Sequence, residues 1–348
     1  MLGLLARPAR AASLLQRCAS SAAAPAARGH VKIVEVSPRD GLQNEARVVP
    51  TATKLELVRR LVAAGATCVE AGAFVSPKWV PQMADSPQIL QQIAQQRGVS
   101  YPFLVPNDKG LAALLDIAGP RGSAPGQTDE IAIFTAATDA FARANTNCSV
   151  AESLERLAPV TQRALDAGLR VRGYVSVVGG CPYQGDVDPA HVGAVAKALL
   201  DMGCYEVSLG DTVGVATPAA MLAVLNECTR HAPVERFAAH CHDTFGTGLA
   251  NVLACVDAGV RTVDAAVAGL GGCPYSPGAT GNIDTESVVY ALHESGYSTG
   301  FDLAALARIG GWISEEIGRP NGSSAGRALL AREAKAQRDA QKETRARL

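Results

Sequence analysis

At 348 residues, 48% of them hydrophobic, the chain is long enough for one large α/β barrel or for two smaller domains. A formal net charge of −1, with no basic block in the body, argues against a nucleic-acid partner. No run of about 18 uncharged apolar residues occurs, so no membrane span is expected.

Residues 1–29 differ from the rest. Arg7, Arg10, Arg17 and Arg28 are spread among Ala, Leu and Ser, and no acid precedes Glu35. An uninterrupted apolar segment is missing. This composition predicts a transit peptide, with the mitochondrial matrix as destination and a plastid as the alternative.

From Val31 onward, short β-rich runs alternate with helical ones. Strands are expected at 31–36, 67–71, 101–105, 130–134, 171–177, 205–209, 237–241 and 262–267. Their apolar residues do not strictly alternate, as expected of parallel strands covered on both faces. Helices are expected at 53–64, 153–167, 189–202, 218–231 and 247–258, several followed directly by glycine, the usual left-handed cap. Eight such alternations predict a single (β/α)8 TIM barrel over residues 30–325 with additional C-terminal helices. A doubly wound sheet fits less well, because no G-x-G-x-x-G follows the first strand. Residues 119–128 read as a Pro- and Gly-containing loop before the fourth strand. Residues 326–348 read as a charged helical or disordered tail. Its last three residues, Ala346-Arg347-Leu348, have the small-basic-Leu pattern of a peroxisomal address.

Nine cysteines, none in a C-x-x-C pair, imply a reducing compartment and mostly packing roles. The pentapeptide Gly-Gly-Cys-Pro-Tyr occurs at 179–183 and again at 271–275.

Function in such barrels gathers at the C-terminal ends of the strands. There the chain carries Arg39 and Asp40, Glu70, Asp211, His240 and His242, and then a Gly-rich loop from Gly269 to Asn282. His240 and His242, two apart on a strand, share one face and suit one metal ion. With Asp40 and Asn282 they offer two nitrogens and two oxygens, and leave room on an octahedral ion for a chelating substrate. Mg2+, Mn2+, Fe2+, Co2+ and Zn2+ all fit that donor set. Arg39 suits a developing enolate oxygen. Glu70 either orients Arg39 or is its structural ion partner. Asp211 is a candidate proton shuttle or carboxylate partner of a histidine. Cys273, on the Gly-rich loop, is a candidate acid or base.

Several of these residues carry a resemblance. V-E-V-S-P-R-D-G-L-Q-N-E (34–45), E-A-G-A-F-V-S-P-K-W-V-P-Q-M (70–83), S-L-G-D-T (208–212), H-C-H-D-T (240–244) and G-L-G-G-C-P-Y-S-P-G-A-T-G-N (269–282) resemble the motifs of the 3-hydroxy-3-methylglutaryl-CoA lyase family. The resemblance spans roughly residues 30 to 325. It implies a metal-dependent barrel that cleaves 3-hydroxy-3-methylglutaryl-CoA to acetyl-CoA and acetoacetate. It implies Mg2+ or Mn2+ held by Asp40, His240, His242 and Asn282. It also implies catalytic roles for Arg39, Asp40, Glu70, Asp211, His240 and Cys273, contacts to the CoA thioester from Arg39 and Asn145, and a homodimer. The chain departs from the family pattern before Asn145, where Arg143-Ala144 replaces a basic pair, and at the 119–128 loop. Two other readings stand beside it. One is a Claisen-type synthase of the same superfamily, acting as isopropylmalate or homocitrate synthases do. The other is a non-catalytic CoA-binding barrel.

Overall fold

Eight short strands run parallel in one curled sheet, and each brings a different loop to the same rim. In the computed structural model they are Lys32–Glu35, Gly72–Ala73, Phe103–Leu104, Glu130–Ala136, Arg170–Ser176, Glu206–Asp211, Phe237–Cys241 and Thr262–Ala265. The structure describes residues 28–118, 128–272 and 281–346. The transit-peptide segment apart from its last two residues, almost all of the 119–128 loop, Cys273 and the last two residues therefore lie outside the described residues.

Sheet order follows the sequence, with the eighth strand beside the first. The second strand closes the circle in an unexpected way. Cys68 and Val69 make only single bridges, Cys68 to Ser100 and Val69 to Glu35, and ladder pairing begins at Gly72. The expected 67–71 strand is thus shared between two neighbours. Glu35 N–H donates to the Cys68 carbonyl, and Val69 N–H to that of Ser100, each at 3.0 Å.

Strand side chains alternate between two environments, more regularly than the sequence reading allowed. Val171, Val175, Val207, Leu209, Phe237, Ala239 and Val263 are buried in the apolar core. The intervening Arg172, Tyr174, Glu206, Ser208, His240 and Asp264 bond to one another, and Arg172 reaches Asp264 although the fifth and eighth strands are not neighbours. The inward positions of these four strands are therefore largely polar, while on the first, third and fourth strands Val34, Leu104, Ala132 and Phe134 share the inward face.

All five expected helices are present, at Thr51–Ala63, Val150–Asp166, Pro189–Asp201, Pro218–Cys228 and Gly248–Asp257. Gly65, Gly168, Gly203 and Gly259 follow four of them, each with positive φ. Thr217 caps the fourth by accepting from Ala220 N–H. Two helices beyond the eighth strand, Thr285–Glu294 and Leu303–Ile317, are capped in the same way by Asp284 and Asp302. The tail folds as one helix, Ser324–Ala346, that crosses the boundary expected at residue 325. Its start is tied to the barrel, since Ser323 bonds to Asp284 and to Gly326 N–H; beyond Lys335 it is exposed. Among the described residues no helix is long and apolar enough to cross a membrane.

Candidate active site and metal centre

The first strand delivers its functional residues through a single wide helical turn, Ser37–Gly41. Glu35 anchors that turn. Its carboxylate accepts from Ser37 N–H, from Val267 N–H and from the Thr285 hydroxyl, so the first turn and the segment after the eighth strand are fixed to one group. Pro38 starts the turn, and Arg39 and Asp40 end up side by side at the rim.

Arg39 is buried, and its charge is met on two sides. Nη1 donates to Asp40 Oδ1 at 2.5 Å and Nη2 pairs with Glu70 Oε2 at 2.7 Å. Burial disfavours the guanidinium charge, but Glu70 and Asp40 outweigh it and raise its pKa. Tyr174 completes the setting, donating to Glu70 Oε2 at 3.2 Å with its ring 5.5 Å below the guanidinium. Glu70 is thus in direct contact with Arg39. Burial raises the pKa of Glu70, and Arg39 opposes that shift.

Asp40, His240 and His242 converge, each offering a ligand atom within 4.8 Å of the others. The two Nε2 atoms are 3.3 Å apart, and His240 Nε2 is 4.0 Å from Asp40 Oδ2. Neighbouring ligands at about 2.1 Å from an octahedral ion lie about 3 Å apart, so this spacing suits a divalent cation. Burial would raise the pKa of Asp40, but Arg39 and both histidines hold it down at about 2. Burial and the proximity of His240 push His242 down to about 4, which keeps its lone pair free at neutral pH. Burial also acts against charge on His240, but Asp264 and Asp40 outweigh it and raise its pKa.

Asn282 joins this group. Its Nδ2 donates to Asp40 Oδ2 at 2.8 Å and to the Leu270 carbonyl at 3.2 Å. Its Oδ1 is buried without a hydrogen-bond partner among the described residues. A buried acceptor left open beside three converging ligands fits a fourth metal ligand. Two glycines set its position. Gly271 has φ +135°, and a Cβ there would lie 2.7 Å from Asn282 Nδ2; Gly281 has φ +93°, and a Cβ there would lie 2.4 Å from the Gly271 carbonyl carbon. The two ends of the Gly-rich loop therefore touch at its base. Gly281→Ala is expected to cost on the order of 1–3 kcal/mol in backbone strain and to displace Asn282. A lowered urea midpoint together with weaker Mn2+ binding would report this.

A cavity of about 470 Å3 opens over these groups, with Arg39, Asp40, Asn145, Tyr174, His240 and His242 on its wall. Trp79 stands at its rim, 88% exposed. Asp211 is placed differently. Its carboxylate accepts from Val215 and Ala216 N–H at 3.2 and 3.0 Å, while its neighbours Gly210 and Thr212 line the cavity. The carboxylate that bonds to His240 is Asp264. Neither Asp264 nor Arg172 stands out in the sequence as a site residue, although each falls at an inward position of a period-two strand. Arg319 was also not legible. It donates to Glu45 and to the Gly271 carbonyl, while Asn44 donates to the Gly272 carbonyl, so the loop base is held from two sides.

Fold and site together define a parallel α/β barrel whose C-terminal mouth carries three residues, Asp40, His240 and His242, that could hold a metal ion. A family model described as HMGL-like matches residues 30–313. Hydroxymethylglutaryl-CoA lyase of Pseudomonas mevalonii is 51% identical over 305 residues, covering 88% of this chain and 98% of that protein. The mitochondrial hydroxymethylglutaryl-CoA lyase of Bos taurus is 50% identical, covering 86% of this chain and 89% of that one. The crystal structure of the lyase from Pseudomonas aeruginosa superimposes with a TM-score of 0.83 at 49% identity, covering 87% and 98%. The chain belongs to the hydroxymethylglutaryl-CoA lyase family.

Proposed function

We infer that the protein is an enzyme that cleaves 3-hydroxy-3-methylglutaryl-CoA to acetyl-CoA and acetoacetate. The observation that carries this reading is the buried Arg39 beside the Asp40–His240–His242 triad, at the mouth of a barrel about half identical to such lyases.

The reaction breaks one carbon–carbon bond. The tertiary hydroxyl gives up its proton, and its C–O bond becomes the ketone of acetoacetate. The bonding pair passes to the thioester half as an enolate, which takes up a proton at carbon to become acetyl-CoA. A Mg2+ or Mn2+ ion held by Asp40, His240, His242 and Asn282 would supply Lewis acidity toward the hydroxyl. Arg39, fixed by Asp40 and Glu70, presents its charge to the enolate oxygen. Asp40 lines the cavity and is the candidate acceptor of the hydroxyl proton, since His240 has one ring nitrogen toward the ion and the other on Asp264. Asp211 serves by shaping the 214–216 turn through its amide contacts. Cys273 is assigned the return of a proton to the enolate carbon. Cys273→Ser is expected to slow turnover while leaving the urea midpoint unchanged; kinetics equal to the parent would remove the thiol from the mechanism. Asn145, on the cavity wall, is assigned to the CoA moiety.

Product analysis with candidate thioesters tests the class of reaction. Acetoacetate formed from 3-hydroxy-3-methylglutaryl-CoA is the expected result. Condensation of acetyl-CoA with a 2-oxo acid would instead place the chain with the synthases. The acid-free, Arg-bearing composition of residues 1–29 and the mitochondrial Bos taurus relative support a matrix enzyme with a removable leader. The catalytic unit proposed is residues 30–325, acting as a homodimer.

A further inference from the structure

His240 and Asp264 are direct partners in the ladder between the seventh and eighth strands. His240 Nδ1 lies 3.2 Å from Asp264 Oδ2. Among the described residues, the other hydrogen bonds to that carboxylate all come from donors. Arg172 Nη2 reaches Oδ1 at 2.8 Å, Arg172 Nη1 reaches Oδ2 at 3.2 Å, and the Ser208 hydroxyl donates to Oδ2 at 2.7 Å. Arg172 is itself held, with Nε on Glu206 Oε1 at 2.7 Å and Nη1 on the Tyr174 hydroxyl at 2.8 Å. Asp264 and Arg172 are both buried, and Asp264 meets His240 at Nδ1, the nitrogen away from Asp40.

We propose that Asp264 is a positioning residue of the metal centre, which holds the His240 proton on Nδ1 and so leaves Nε2 unprotonated toward Asp40 and His242. This rests on the reading of Asp40, His240 and His242 as metal ligands. The carboxylate, surrounded by donors, can only accept from the imidazole, which fixes the tautomer. Arg172 and Ser208 fix the carboxylate plane, and with it the ring orientation. The plainer alternative is that Asp264 is no more than the counter-ion of a buried arginine. That role would leave both the tautomer and the metal affinity unchanged when the charge is removed and the shape is kept.

Asp264→Asn separates the two. With the shorter Arg172 bond, from Nη2, kept on the amide oxygen and the Ser208 hydroxyl rotated to accept, the amide N–H faces His240 Nδ1, which must then accept, and the imidazole proton moves to Nε2. The full chain, labelled with 15N-histidine and kept metal-free, is measured by long-range 1H–15N correlation, with His240 assigned by loss of its signals in His240→Gln. Mn2+ affinity is measured separately by titration. The expected results are Nδ1–H at His240 in the parent, the reversed tautomer in Asp264→Asn, and a roughly 10- to 100-fold loss of Mn2+ affinity. A parent with its proton on Nε2, or an Asp264→Asn protein that binds Mn2+ as the parent does, overturns the proposal. Should the variant fail to fold, the parent spectrum decides alone. A parent that binds no Mn2+ overturns the metal centre itself, and this inference with it.

Discussion

Arg39→Met is expected to lose about 10²–10³ in kcat, the usual cost of removing one preorganised group that stabilises a developing oxyanion. The variant should keep its divalent ion, because the proposed ligand atoms belong to Asp40, His240, His242 and Asn282 rather than to Arg39. The loss follows from placement. Arg39 is buried and held by two carboxylates, so its charge needs no reorganisation when the enolate forms. Because the enolate oxygen carries its charge only after bond cleavage begins, kcat should fall with little change in KM. Steady-state kinetics on variant protein with matched Mn2+ content checks this. Near-normal turnover would remove Arg39 from the mechanism.

Arg172→Met is expected to have the largest effect on stability. Arg172 is almost fully buried and pairs with both Glu206 and Asp264, at 2.7 and 2.8 Å. Burial opposes its charge, yet Asp264 and Glu206 outweigh that and raise its pKa well above the ordinary value. Methionine fills similar volume but leaves two buried carboxylates without their cation. Breaking a buried pair from one side costs about 3–5 kcal/mol. Urea denaturation followed by circular dichroism reads the shift. A midpoint equal to the parent would mean that water or rearranged donors replace the guanidinium.

The barrel was legible because its signals are local. Helix-ending glycines such as Gly65 and Gly203, the Thr217 cap and apolar β runs each report on a few neighbouring residues. The three residues that converge at the mouth were legible for a related reason. His240 lies near the end of the seventh strand with His242 just past it, and Asp40 lies in the turn after the first strand. What remained hidden depends on the closure of the barrel. Asp264 meets His240 only because the eighth strand pairs with the seventh in that register. Arg172 meets Asp264 only across the interior. Asp211, also an aspartate near a strand end but paired with Cys241 rather than His240, turns instead to its own loop amides. Residue type and strand position alone do not separate those two aspartates, whereas the inward period-two positions, read across all strands, would have favoured Asp264.

The central claim is that a divalent ion at Asp40, His240 and His242 makes this barrel a lyase. The most direct measurement incubates the full chain with 3-hydroxy-3-methylglutaryl-CoA in parallel with Mg2+, with Mn2+ and with a chelator, and quantifies both products. Acetoacetate and acetyl-CoA formed in equal amounts, and only where an ion is present, is the predicted result. No product with either ion, or an undiminished rate in chelator, would contradict it.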